Sequence, residues 1–80
     1  MEIVYSRQAV KYLKTLEKRL RMRVKNGIEG LPTRGDIQPL IGRKGEYRLR
    51  IGNLRVIYVQ KGDTIYVTTV YPRGQIYKKS

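Results

Sequence analysis

Arg48, Arg50 and Arg55 flank a Gly52-Asn53 dipeptide in the run GEYRLRIGNLRVIYVQ. A Gly-Asn pair between alternating apolar residues signals a β-hairpin with a two-residue loop. Ile51 then falls opposite Leu54, Arg50 opposite Arg55, and Arg48 opposite Ile57. Alternation sends Tyr47, Leu49, Ile51, Leu54, Val56 and Tyr58 to one face and Arg48, Arg50, Arg55, Ile57 and Val59 to the other. The first set is apolar throughout, and a slip of one residue would mix the sets, so this register is the predicted one. On the second face, like charges stand across the strands. That destabilises a sheet unless a bound anion, or a carboxylate such as Glu46 or Asp36, compensates. The plain alternative is a solvated charged edge. Ile57 and Val59 on the same face favour a partly lined concavity for a polyanion, with RNA the foremost candidate.

Composition points the same way. Eighteen Lys and Arg oppose six Asp and Glu, a formal charge of +12 on 80 residues. Such an excess implies an acidic counterpart: nucleic acid, anionic membrane or acidic protein. The chain contains neither Cys nor His, which excludes disulfides and thiolate sites, imidazole catalysis and almost all transition-metal chemistry for the chain alone. No metal or small-molecule cofactor is expected. A reducing, cytoplasmic setting fits. The opening MEIVYSRQAV builds no apolar run long enough for a signal peptide, and no segment approaches the roughly 20 apolar residues of a membrane span.

The elements that must position these residues follow from periodicity. Residues 2–5 read as a short strand, and Ser6 as a helix N-cap. Val10, Leu13, Leu16, Leu20, Val24, Ile28 and Leu31 recur at helical spacing. One helix over 7–29 would be about 35 Å long, overhanging strands of about 17–20 Å, so a bend is predicted within 15–19 although no Gly or Pro marks it. Gly27 weakens the last turns, and Gly30 with Pro32 supplies a stop. Residues 31–45 read as a long loop in which Leu40 and Ile41 are expected to tuck into the core edge. Strands are predicted over 46–51, 54–60 and 64–71. The fold class is α+β: a short N-terminal strand and two helices packed on one face of a mainly antiparallel sheet whose last three strands form a meander, in one domain spanning 1–80.

The helical stretch carries a second basic field. Arg7, Lys11, Lys14, Lys18, Arg19, Arg21, Arg23 and Lys25 are opposed only by Glu17, too many to be absorbed by i,i+4 pairing. Such a field steers a phosphate backbone at long range and carries little sequence information. Its apolar stripe is needed to cover the sheet, which argues against a membrane-surface role.

The run GEYRLRIGNLRVIYVQ, with VYPRGQIY after one more strand, resembles the RelE/ParE family of toxins from type II toxin–antitoxin systems, and the likeness covers essentially the whole chain. It implies a RelE-like fold and a cognate acidic antitoxin. RelE-like members cut mRNA in the ribosomal A site, whereas ParE-like members poison DNA gyrase. Mapped on the RelE-like pattern, Arg48, Arg50, Arg55, Arg73 and Tyr77 are the implied catalytic set, and Arg73 with Tyr77 tilts the choice toward the ribonuclease branch. Lys11, Lys14, Lys18, Arg21, Lys25, Arg43, Lys44 and Lys78 are the expected RNA- and ribosome-binding residues. Two departures matter. Arg48 and Arg50 stand where the best-studied RelE sites carry lysines, and Tyr71-Pro72 replaces a common glycine-basic pair.

Metal-free RNA cleavage needs the 2′-OH proton removed, charge on the pentavalent phosphorus stabilised and the 5′-O leaving group protonated. The arginines supply the charge stabilisation. Arginine does not give up its proton, so a lysine's role as general base does not transfer. Tyr77 is the titratable member of the matched set. It could act as base in a field of guanidinium groups, stack on an mRNA base, or simply close the core. This thin inventory predicts a slow free enzyme whose substrate geometry comes from the ribosome. A gyrase inhibitor, or an inert RNA- or protein-binding module on the same scaffold, are the alternatives.

Overall fold

Ser6 joins the first strand to the first helix and ties both to the far end of the chain. In the computed structural model, which describes residues 1–72, its hydroxyl accepts the Ala9 N–H at 3.1 Å, the expected N-cap, and donates to the Thr68 carbonyl at 2.8 Å. Strand β1 (Glu2–Tyr5) precedes it, and helix α1 (Arg7–Thr15) follows. The chain continues through α2 (Lys18–Glu29), β2 (Asp36–Pro39), β3 (Glu46–Ile51), β4 (Leu54–Lys61) and β5 (Thr64–Pro72).

The helical stretch breaks inside the predicted window. Leu16 and Glu17 are both extended, with ψ of 148° and 157°. Arg21 reaches back across the break, donating from Nη1 to the Leu16 carbonyl at 3.3 Å, and so satisfies an acceptor left over at the end of α1. Neither helix has an acidic residue in its first turn, where a carboxylate would suit the helix dipole. Lys18 and Arg19 open α2 instead, so this charge is not there for the helix's own stability.

The five strands form one sheet in the order β1-β5-β4-β3-β2, with β1 parallel to β5 and every other pairing antiparallel. The β3–β4 register is the predicted one, with Ile51 opposite Leu54, Arg50 opposite Arg55 and Arg48 opposite Ile57. Gly52 turns the hairpin at φ +56° while Asn53 keeps a negative φ, as a loop with glycine at its first central position requires. Both helices cover a single face. Ala9, Leu13, Val24 and Ile28 pack with Leu49, Ile51, Leu54, Val56, Tyr58, Ile65, Val67 and Val70 in one buried cluster. Gly27 lets α2 come close to β3, since a Cβ there would lie 2.6 Å from Ile51 Cδ1. Tyr58 is 1% exposed and stacks on Tyr47, ring centroids 5.4 Å apart.

Two expectations for residues 31–45 are corrected. The segment is not all loop, because Asp36–Pro39 adds an edge strand to β3. Ile41 does not reach the core: it is 100% exposed at the tip of the β2–β3 connection, while Leu40 is half-buried. The Leu40 N–H donates to the Glu46 carbonyl at 2.9 Å and continues the ladder by one rung. That rung closes the connection before Ile41 and leaves its side chain directed to solvent.

Candidate functional site

Register strings the residues of the face turned away from the helices into rows. The first row runs Asp36–Arg50–Arg55–Tyr71 across β2, β3, β4 and β5; the second runs Gln38–Arg48–Ile57–Thr69. A third, Glu46–Val59–Tyr66–Val4, extends across β1. Directly opposed side chains sit about 5 Å apart at Cβ, and diagonal neighbours about 7–8 Å apart. Three guanidinium groups at that spacing suit one phosphate approached from two strands.

Their partners are few. Arg48 Nη2 donates to Gln38 Oε1 at 2.6 Å, which holds that guanidinium over the second row. Arg55 Nη1 is buried and finds no hydrogen-bond acceptor among the described residues. An unsatisfied buried charged donor costs about 1–3 kcal/mol or more, which an anion in front of it would offset. Among the described residues, none of Arg48, Arg50 and Arg55 makes an ion pair, although Asp36 is the cross-strand neighbour of Arg50. Glu46 lies beside Arg43 at 3.8 Å, so it is turned toward the β2–β3 connection. Ile57 is fully buried on this face, outside the helix-side cluster, and gives the arginines an apolar floor.

The expected site residues divide by position. Arg48, Arg50 and Arg55 come together as predicted, whereas Arg73, Tyr77 and Lys78 lie outside the described residues. Lys11, Lys14, Lys18 and Lys25 are exposed on the helices, on the opposite side of the sheet from the arginines. Arg21 joins them only in part, because it is half-buried and bridges the helix break. Arg43 and Lys44 line a cavity of about 370 Å³ between the β2–β3 connection and Tyr47. Lys14, Arg21 and Lys25 border another, of about 210 Å³, whose apolar wall is Tyr5, Val10 and Leu13.

Burial disqualifies two tyrosines as bases. The Tyr58 phenol is pushed up to about 12 by burial and, second, by the charge of Tyr47. Tyr5 is raised by burial and then by Glu29. Sequence reasoning missed Gln38 and Tyr71 as members of the arginine face, whereas Asp36, expected as a compensating carboxylate, stands opposite Arg50. The alternation Asp36-Ile37-Gln38 between Gly35 and Pro39 was a strand signal too short to stand out. Tyr71 was hidden by a bulge: unbroken alternation from Ile65 and Val67 would carry it to the core, but a register shift between Ile57 and Tyr58 turns it beside Arg55.

A family model for the ParE toxin of type II toxin–antitoxin systems matches residues 3–77. The chain belongs to the RelE/ParE toxin family. Toxin RelE3 of Methanocaldococcus jannaschii is 32% identical over 84 aligned positions, covering 96% of either chain. Among solved structures, the RelB–RelE antitoxin–toxin complex from Methanococcus jannaschii contains a chain similar at TM-score 0.73 and 31% identity, over 86% of this chain and 88% of that one. The archaeal RelE–RelB complex from Pyrococcus horikoshii OT3 matches at TM-score 0.72 and 29% identity, over 94% and 97%. The resemblance seen in the sequence and the RelE-like fold are thereby borne out. This toxin carries both family names among its matches, so its target has to be argued from its site.

Proposed function

We propose that this toxin is a ribosome-dependent endoribonuclease that cleaves translated mRNA and is silenced by a cognate acidic antitoxin. The observation that carries the reading is the Arg55 Nη1 donor, buried and without a hydrogen-bond partner among the described residues, beside Arg50 on a face with little acidic compensation. A phosphate in front of these arginines would satisfy that donor and relieve the cross-strand repulsion. Arg48, steadied by Gln38, would approach the same group from the next row. The 2′-oxygen attacks the phosphorus as it loses its proton, the bond to the 5′-oxygen breaks as that oxygen takes up a proton from water, and the products are a 2′,3′-cyclic phosphate and a 5′-hydroxyl. The guanidinium groups hold the charge that develops on the phosphoryl oxygens, worth about 3 kcal/mol for each well-aimed donor. Arg73 completes the grip in this reading, and Tyr77 removes the 2′-OH proton or stacks to align it. The ribosome presents the strand in line, drawn in by Lys11, Lys14, Lys18, Lys25, Arg43, Lys44 and Lys78.

An antitoxin segment fits the other side of the sheet. The cavity walled by Tyr5, Val10 and Leu13 takes an apolar anchor, and Lys14, Arg21 and Lys25 meet carboxylates around it. The antitoxin in the solved relatives' complexes supports such a partner. The ParE name of the matching family model favours a second reading, inhibition of DNA gyrase. Primer extension on translated mRNA separates the two. Cuts that need the ribosome and vanish in Arg73→Ala and Tyr77→Ala are expected. Intact mRNA with a supercoiling defect would replace the ribonuclease with the gyrase reading.

A further inference from the structure

We infer that Tyr66, with Val4 beside it, is a stacking shelf for the base of a nucleotide flanking the one whose phosphate the arginines grip. The inference rests on the reading of this face as an RNA surface and adds a second subsite to it. Most of the sheet's large apolar side chains are covered, yet Tyr66 is 40% exposed and Val4 39% exposed. They are direct partners across β1 and β5, and Val59 of β4 adjoins Tyr66 on its other side. The three form an apolar step on the same face as Arg48, Arg50 and Arg55.

Spacing sets which nucleotide would use the step. Val59 lies four residues along β4 from Arg55, about 13 Å at 3.3 Å per residue. A phosphate at the arginine rows therefore leaves its own nucleotide short of Tyr66, and a neighbour along the strand reaches it. Glu46, at the end of this row, has Arg43 beside it at 3.8 Å, so a phosphodiester crossing the row does not meet a bare carboxylate. Cationic rows followed by an exposed aromatic ring are how sequence-tolerant single-strand surfaces are built, because every base has a π-face. Tyr66 is a positioning residue here, since it fixes the path of the strand and stays away from the reacting phosphate.

The test uses the full chain and a short single-stranded RNA made uncleavable by 2′-O-methylation. A single 2-aminopurine reports stacking, and an abasic nucleotide is walked along the strand. One flanking position is expected to quench 2-aminopurine on binding, and an abasic nucleotide there should weaken binding about five- to a hundredfold. Tyr66→Ala should lose the quenching and become indifferent to that abasic site, while Tyr66→Phe keeps both. Equal binding of intact and abasic strands by the parent chain, or quenching retained in Tyr66→Ala, would overturn the shelf. The oligonucleotide measurement needs no cleavage, so the shelf stands if mRNA proves intact on the ribosome. Conversely, ribosomal cleavage with no abasic effect sinks the shelf and leaves the ribonuclease reading in place.

Discussion

The two faces of the one sheet are built on opposite rules. On the helix side the central cross-strand rows are apolar, from Ile37–Leu49–Val56–Val70 to Tyr47–Tyr58–Val67. On the other side, rows one residue out of phase carry Arg50 against Arg55 and leave a buried guanidinium nitrogen without a partner among the described residues. The same two strands supply both, so the contrast lies in which neighbour each residue is given. One face lowers the free energy of the fold. The other holds charge at a cost that the fold alone does not recover, as expected where a ligand supplies the missing contacts.

Substitutions should separate the faces. The largest effect belongs to the closed face: Leu49→Ala, at a side chain 1% exposed, should lower unfolding free energy by about 2–5 kcal/mol in a denaturant titration. Next comes Arg48→Ala on the open face, expected to slow ribosome-dependent cleavage about a hundredfold while a denaturant midpoint stays near the parent's. The helix side should respond through its partner. Lys14→Glu and Lys25→Glu together should weaken antitoxin binding by roughly 1 kcal/mol at low salt, and high salt should erase the difference. The smallest effect is the most diagnostic. Arg55→Thr removes the like-charge pair, so stability should rise by about 0.2–1 kcal/mol; a loss of stability would mean the arginines support the fold.

Much of this contrast was legible in the sequence, and the failures have causes. The hairpin register followed from Gly52-Asn53 and two alternating sets, local features that tertiary packing had no reason to override. The helix break was inferable from length alone, although its residues carry no breaker. Asp36–Pro39 escaped because a short edge strand with a proline has little pattern to show, and it borrows its regularity from β3. Ile41 is hydrophobic without being buried, because the Leu40–Glu46 hydrogen bond closes the ladder before it. Tyr71 reached the arginine face through a bulge, which one chain's alternation cannot announce. The exposed lysines were identified, but not that they lie across the sheet from the arginines, because sidedness appears only once the helices have a face to cover.

The most direct test of the central claim is a single-turnover rate of mRNA cleavage at saturating ribosomes, comparing the parent toxin with Arg55→Ala and with the Lys14→Glu, Lys25→Glu pair. If the open face grips the scissile phosphate, Arg55→Ala should be slower by about a hundredfold, and the helix-side variant should match the parent. Cleavage by Arg55→Ala at the parent rate would contradict the account.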